Sequence, residues 1–236
     1  SLQLPFIVSG TITFLLIFYA SFVLKEPERH GEAKKREIVP TGGLKMWRYR
    51  IGFLFALSFA ITFLLAGIES TFQLFQIDNI GITPLQVGYL FMASGLVDAA
   101  IQGGVVRKVK DGTETTWLYA AQVITAIGLI LIPFSDNLLT AGIALSVFTA
   151  GNALGRTILV ALTSKESGGR YGTAAGMAYS MDNMGRIIGP VLFAWLFTQA
   201  GGNIYYISSA IAIFSIIFIF LFARSTKTLR VRKEQS

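Results

Sequence analysis

Residues 142–197 read GIALSVFTAGNALGRTILVALTSKESGGRYGTAAGMAYSMDNMGRIIGPVLFAWLF. Two long apolar runs flank the short polar break SKESGGRYG, and ionisable groups stand inside both: Arg156 in the first, Asp182 and Arg186 in the second. Small residues recur at helical spacing, Gly151 and Gly155 in the first run, Gly185 and Gly189 in the second. A Gly-x-x-x-Gly pattern on an apolar helix lets two backbones approach closely in lipid. Charged groups at membrane depth are costly and face a bundle interior or a wet cavity. Gly189-Pro190 marks an expected kink. These two runs have the character of helices that line a pathway.

The rest of the chain extends that pattern. Of its 236 residues, 53% are hydrophobic and 14% charged, against about 25% charged in an ordinary soluble domain. A membrane-crossing helix needs about 20 mostly apolar residues. Seven segments qualify, at 4–24, 51–76, 86–106, 116–134, 138–162, 173–197 and 203–223. The expected fold is an all-α integral membrane protein, a bundle of about seven transmembrane helices. The breaks carry turn chemistry: Gly-Ile-Thr-Pro before Leu85, Asp136-Asn137, and Gly201-Gly202-Asn203.

Charge sets the orientation. Every Lys and Arg except Arg156 and Arg186 lies in the linker after the first segment, in the loops near Arg107 and Lys165, or in the tail. The alternate loops, around Asp78, Asp136 and Gly201, hold none. By the positive-inside rule the basic loops and the C-terminus are cytoplasmic. The net charge of +7 is thereby explained by the membrane, and nucleic acid is not an expected partner. The chain has no cysteine and a single histidine, His30, so no metal site is expected. No phosphate-binding G-x-x-x-x-G-K-[ST] loop, nucleophile elbow or H-E-x-x-H is present. An enzyme is not expected.

The expected units are a helix at 1–24, a cytoplasmic linker at 25–50, a six-helix bundle at 51–223 and a basic cytoplasmic tail at 224–236. One helix, a long linker and six helices is what remains when five helices are taken from the front of a protein with two six-helix halves. The chain is therefore expected to be a piece of a longer protein, with the N-terminal half as a partner alongside membrane lipid and a small-molecule substrate.

Glu69, in FLLAGIESTFQLFQI, is the sharpest candidate for chemistry. Phe72, Gln73 and Gln76 follow at +3, +4 and +7, on the same helical face. An acid beside an aromatic ring and two amides can hold a cation or a proton in a cavity. The alternative is an acid near a helix end that reaches headgroup water. Ser94, Asp98 and Gln102 form a polar stripe at i, i+4 and i+8. Asp98 is either a second proton site or the partner of a base on a neighbouring helix. Asp182 and Arg186, at i and i+4, can pair with each other. Arg156 has Asn152 one turn away. Asp182 counts with Glu69 and Asp98 as a candidate proton-coupling acid, since three acids face two arginines within the helices. Phe72, Phe148, Gln73, Gln76 and Asn152 are the candidate substrate-binding residues. Arg156, Arg186, Gly185, Gly189 and Pro190 are assigned to charge pairing and structure.

Three stretches carry a family resemblance: AGIESTF, GLVDAAIQGGVVRKVKDG and SMDNMGRIIGPVLFAWLF. In this order and spacing they resemble the second half of a major facilitator superfamily transporter, and more narrowly the twelve-helix drug:proton antiporters of the NorA and Bmr type. The resemblance implies a proton-coupled efflux antiporter for small amphipathic or cationic compounds in the cell membrane of a bacterium. It implies no cofactor beyond a proton gradient, and it places Glu69 where the family carries a proton-coupling acid. Those pumps often have a second acid in the antepenultimate helix, where this chain has Asn152, Ala153 and Arg156. That role would then pass to Asp98 or Asp182. The same fold could carry a sugar or another metabolite. A seven-helix receptor or light-driven pump fits the helix count, but the last helix has no Lys in its core to hold retinal.

Overall fold

The structure is a computed structural model and describes residues 4–23 and 41–234. The described residues form seven α-helices: α1 (Leu4–Val23), α2 (Thr41–Ile80), α3 (Pro84–Ala100), α4 (Glu114–Leu131), α5 (Leu138–Lys165), α6 (Tyr171–Ala200) and α7 (Ile204–Glu234). The chain divides into two units, residues 1–40 and 41–236. In the first, α1 is an apolar helix long enough to cross a membrane. The second contains α2 to α7, whose runs are also long and apolar enough to cross one, with α6 and α7 forming a single run through a 3-10 turn at Gly201–Asn203. In lipid the backbone must satisfy its own hydrogen bonds, which a helix does within one segment.

The breaks fall where the turn residues stand. Thr83 caps α3 in a capping box: its amide donates to Gln86 Oε1 at 2.8 Å, and the Gln86 amide donates to Thr83 Oγ1 at 3.3 Å. Pro84 follows in the first turn, where no N–H is needed. Asn137 and Thr140 repeat the device at the start of α5, with bonds of 3.0 and 3.1 Å. Gly81 takes the left-handed backbone, φ +67°, that ends α2.

Three element boundaries depart from expectation. Residues 41–50 of the expected linker are helical and continuous with α2; its residues 25–40 lie outside the described residues. The expected tail from 224 continues α7 as far as Glu234. The third expected helix, 86–106, is α-helical only to Ala100, then passes through a π-turn at Ile101–Val105 and a 3-10 turn at Val106–Lys108. The first two follow from helical hydrogen bonding, which needs no apolar residues and so outruns the apolar segment that predicts it; in the third, Gly103 and Gly104 lower helix propensity where the α pattern gives way. Pro190 lies inside α6, which continues on both sides; the proline leaves the Arg186 carbonyl without its helical donor.

In the second unit α2 is the hub, packing against α5, α6 and α7, while α4 packs on α5 and α7 and α3 on α5. Three glycines of the opening stretch lie too close to a neighbouring helix to accept a side chain. A side chain on Gly185 would come within 2.8 Å of the Phe63 amide, and one on Gly189 within 2.8 Å of the Phe63 carbonyl. Gly151 is pressed against the backbone of Thr125 on α4. The core has two apolar clusters. One holds Leu64, Ile68, Phe72, Leu129, Phe148 and Tyr205; the other holds Ile51, Leu54, Leu118, Ile158 and Phe222. Near the level of Ser58–Thr62, where they meet, lie several interhelical polar contacts. The outward faces of α4 and α7 stay apolar, with Val123, Ile127, Ile213 and Phe220 exposed.

Candidate functional site

A cleft of ≈ 220 Å³ opens between α2, α3 and α5. Its ionisable lining is Glu69 from α2, Asp98 from α3 and Arg156 from α5, with Asn152 and Thr149 one and two turns before Arg156. Phe91, Leu145 and Phe148 supply apolar wall. Three helices far apart in sequence thus bring two acids, a base and an amide to one cavity.

The charges there are unequally matched. Arg156 Nη2 lies 3.5 Å from Asp98 Oδ2, a long contact, and both side chains remain about one-third exposed, 33% and 31%. The other Asp98 oxygen accepts from Gln102 Nε2 at 2.8 Å. Of the two expected readings of Asp98, the pair with a base on a neighbouring helix is present. Glu69 is exposed to the cleft, and among the described residues no hydrogen bond or ion pair holds it. Asn152 is buried, and its Nδ2 donates to the Ile61 carbonyl at 3.1 Å. It therefore ties α5 to α2 as well as lining the cleft.

The remaining candidates are placed elsewhere. Phe72 is buried in the core, edge-on to Phe91 at 6.0 Å, and stands behind the cleft wall. Gln73 is exposed outside the cleft lining. Gln76 shares a helical face with Glu69, but two turns along α2 that face is covered by the α4–α5 connection. There Gln76 Nε2 donates to the buried Ser135 Oγ at 3.2 Å, so it braces the bundle end. The expected Asp182–Arg186 pair does not form. Asp182 Oδ1 instead accepts from Ser58 Oγ at 2.6 Å and Thr62 Oγ1 at 2.9 Å on α2. The close approach at Gly185 brings those hydroxyls within reach, and Arg186, on the outer face of α6, is exposed. Ser58 and Thr62 were missed in the sequence, although hydroxyls at i and i+4 on an apolar helix were the available signal.

At the end of the unit where the basic loops lie, charges pair across elements. Arg50 bonds Glu166 at 2.8 Å and stands over the Phe222 ring, 5.5 Å from its centre. Lys165 bonds Asp111 at 2.9 Å and Glu114 at 2.8 Å.

The chain resembles known transporters along most of its length. Mouse major facilitator superfamily domain-containing protein 10 is 28% identical over 175 residues, covering 73% of this chain and 37% of that protein. Multidrug resistance protein 1 of Bacillus subtilis is 26% identical over 204 residues, covering 83% and 50%. Quinolone resistance protein NorA of Staphylococcus aureus is 22% identical over 197 residues, covering 83% and 50%. The crystal structure of the human organic anion transporter MFSD10 (TETRAN) superposes with a TM-score of 0.66 at 22% identity, covering 72% of this chain and 40% of that one. The chain thus spans half or less of the length of these relatives. The family model of the Major Facilitator Superfamily matches residues 1–181. With that match over most of the chain and a bundle of membrane-length helices, the chain belongs to the Major Facilitator Superfamily.

Proposed function

We propose that this chain forms one wall of the substrate path in a proton-coupled transporter that exports small amphipathic compounds by alternating access. The observation that carries the reading is the α2–α3–α5 cleft, where Glu69, an acid without a partner among the described residues, shares a cavity with the Asp98–Arg156 pair and the ring of Phe148. A cavity of ≈ 220 Å³ is smaller than the ~300–1,000 Å³ of a drug-sized site. It would hold one part of a substrate whose remainder meets a second six-helix half. Glu69 binds a cationic group when charged and releases it when protonated. Such a difference in affinity between states is what drives a conformational switch. The similarity to proteins named for multidrug and quinolone resistance supports this cargo. We place the protein in the plasma membrane with its basic loops and C-terminus on the cytoplasmic side.

One observation favours a second cargo. Arg156 lines the same cleft, and its contact to Asp98 is long at 3.5 Å. A carboxylate on a substrate could displace Asp98 from it, and one solved relative is described as an organic anion transporter. The test is gradient-driven transport by the full-length protein in proteoliposomes, with ethidium as the cation and carboxyfluorescein as the anion. Ethidium efflux abolished by Glu69→Gln is expected. Efflux that persists in that variant refutes the role of Glu69. Carboxyfluorescein transport that Arg156→Gln abolishes, without ethidium transport in the wild type, selects the second reading.

A further inference from the structure

Gln102 stands outside the cleft lining, at the end of the polar stripe Ser94, Asp98 and Gln102. A glutamine four residues from an aspartate on one helix can bond to it. Here it does: Gln102 Nε2 donates to Asp98 Oδ1 at 2.8 Å. Gln102 is also the second residue of the π-turn Ile101–Val105. Such turns interrupt the α register and recur at functional sites. The other oxygen of Asp98 faces α5. It lies 3.5 Å from Arg156 Nη2, against about 2.7–2.9 Å for a full charge-assisted bond between these groups.

The two distances rank the two holds on Asp98. By charge alone the order would be the reverse, because a carboxylate binds a guanidinium more strongly than a neutral amide. The carboxylate is nevertheless drawn toward its own helix. Closing the gap to Arg156 would take a movement of only about 0.6–0.8 Å, the difference between 3.5 Å and a full bond. A rotation of the Asp98 side chain supplies that much once its other oxygen is free. A guanidinium has five N–H donors in a fixed fork and can meet a carboxylate on two bonds at once. With Asp98 drawn back, only Nη2 approaches it, and among the described residues no other hydrogen bond or ion pair engages Arg156. The remaining donors belong to a side chain that lines the cleft and is one-third exposed.

We infer, resting on the anion reading of the cargo, that Gln102 is a positioning residue: it holds Asp98 back from Arg156 and so keeps the guanidinium open to an anionic group of the substrate. Without the amide, Asp98 turns to Arg156, the pair closes, and a carboxylate entering the cleft must first displace it. Gln102 thereby sets the affinity of the cleft for an anion without touching the cargo.

Two measurements on the full-length protein separate the position of Asp98 from the cargo. The first needs no cargo. The coupling between Asp98→Asn and Arg156→Gln is read from the unfolding equilibrium in mixed micelles, once with Gln102 and once in a Gln102→Leu background. Gln102 is exposed, so leucine there displaces no packed neighbour. The coupling factor is expected to rise from about two- to fivefold, the range of a partly exposed pair, to about tenfold or more, that of a full hydrogen bond to a charged group. The second is carboxyfluorescein transport in proteoliposomes. Gln102→Leu should raise KM about tenfold and leave kcat unchanged, since it alters an affinity and no moving part. Asp98→Asn, whose neutral side chain cannot mask the guanidinium, should lower KM. Added to Gln102→Leu, it should return KM to the wild-type value or below.

An unchanged coupling in Gln102→Leu overturns the proposal, because something other than Gln102 would then hold Asp98. A raised coupling with an unchanged KM overturns it too, since the anion would not be meeting the guanidinium. A KM that stays high in Asp98→Asn/Gln102→Leu does the same, by showing a merely structural effect at residue 102. A wild type that carries no carboxyfluorescein overturns the anion reading and the role of Gln102 with it; a coupling that still rises then shows that the fault lies in the cargo and not in the hold on Asp98.

Discussion

Replacing Gly151 by alanine adds a single methyl group to α5, and the structure determines its cost. The new carbon would meet the Thr125 backbone amide, Thr125 Oγ1 at 2.6 Å and the Ala121 carbonyl at 2.8 Å. Ordinary van der Waals contact begins near 3.4 Å, so α4 and α5 must part by up to about an ångström. The obstacle is mainly backbone, which no rotamer change can relieve. The Thr125 hydroxyl is also committed, donating to the Ala121 carbonyl at 2.8 Å. Overpacking of this kind costs about 1–3 kcal/mol. The matched control is Gly155→Ala, one turn along the same Gly-x-x-x-Gly. There the nearest atoms are Ala121 Cβ and Ile61 Cδ1, both at 3.4 Å. That methyl fits, and the added helix propensity of alanine over glycine, about 0.8–1 kcal/mol, should leave the variant as stable as the wild type or more so. Reversible unfolding of the full-length protein in mixed micelles, titrated with sodium dodecyl sulfate, reads both values. Gly155→Ala proving as damaging as Gly151→Ala would refute the reasoning, since the two sites would then respond to sequence pattern and not to the distance between backbones.

Two further outcomes are expected. A double-mutant cycle on Asp98→Asn and Arg156→Gln should give a coupling of about 0.5–1 kcal/mol, because the contact is long and a third of each side chain is exposed; a value near that of a fully buried pair, measured by the same unfolding titration, would contradict the geometry. Arg50→Ala should lower stability more than Lys165→Ala. Arg50 is mostly covered, bonds Glu166 and stacks on Phe222, whereas half of the Lys165 side chain is exposed; equal effects of the two substitutions would count against the cation–π contact.

The residues differ in how far they could be understood before the fold was known. Thr83, Asn137 and Gly81 act on their own helix ends within three or four residues, and the turns they predict are present. Glu69, Asp98, Asn152 and Arg156 were each conspicuous as polar groups on apolar helices, and the fold gathers all four around one cleft. The Asp182–Arg186 pair was a reasonable expectation from i, i+4 spacing, and it does not form. Spacing shows which groups can meet on one helix but says nothing of competitors from another. Two hydroxyls on α2, 120 and 124 residues away in sequence, take the carboxylate instead. Gln76 makes the same point from the other side. It lies on the face of Glu69, yet that face passes from a cleft to a covered end within two turns.

By itself, then, the sequence determined that this is a helical membrane protein, where most of its helices start and which superfamily it resembles. Hydrophobic length, capping and turn chemistry are local properties, and a membrane leaves the backbone few alternatives to a helix. The tertiary structure decided which side of each helix meets which neighbour. It set Gly151 against the Thr125 backbone and left Gly155 at ordinary contact distance, and it chose Ser58 and Thr62 as the partners of Asp182 and Asp98 as the partner of Arg156. Those choices depend on the order and rotation of helices in the bundle, which are set by many contacts summed across the whole fold.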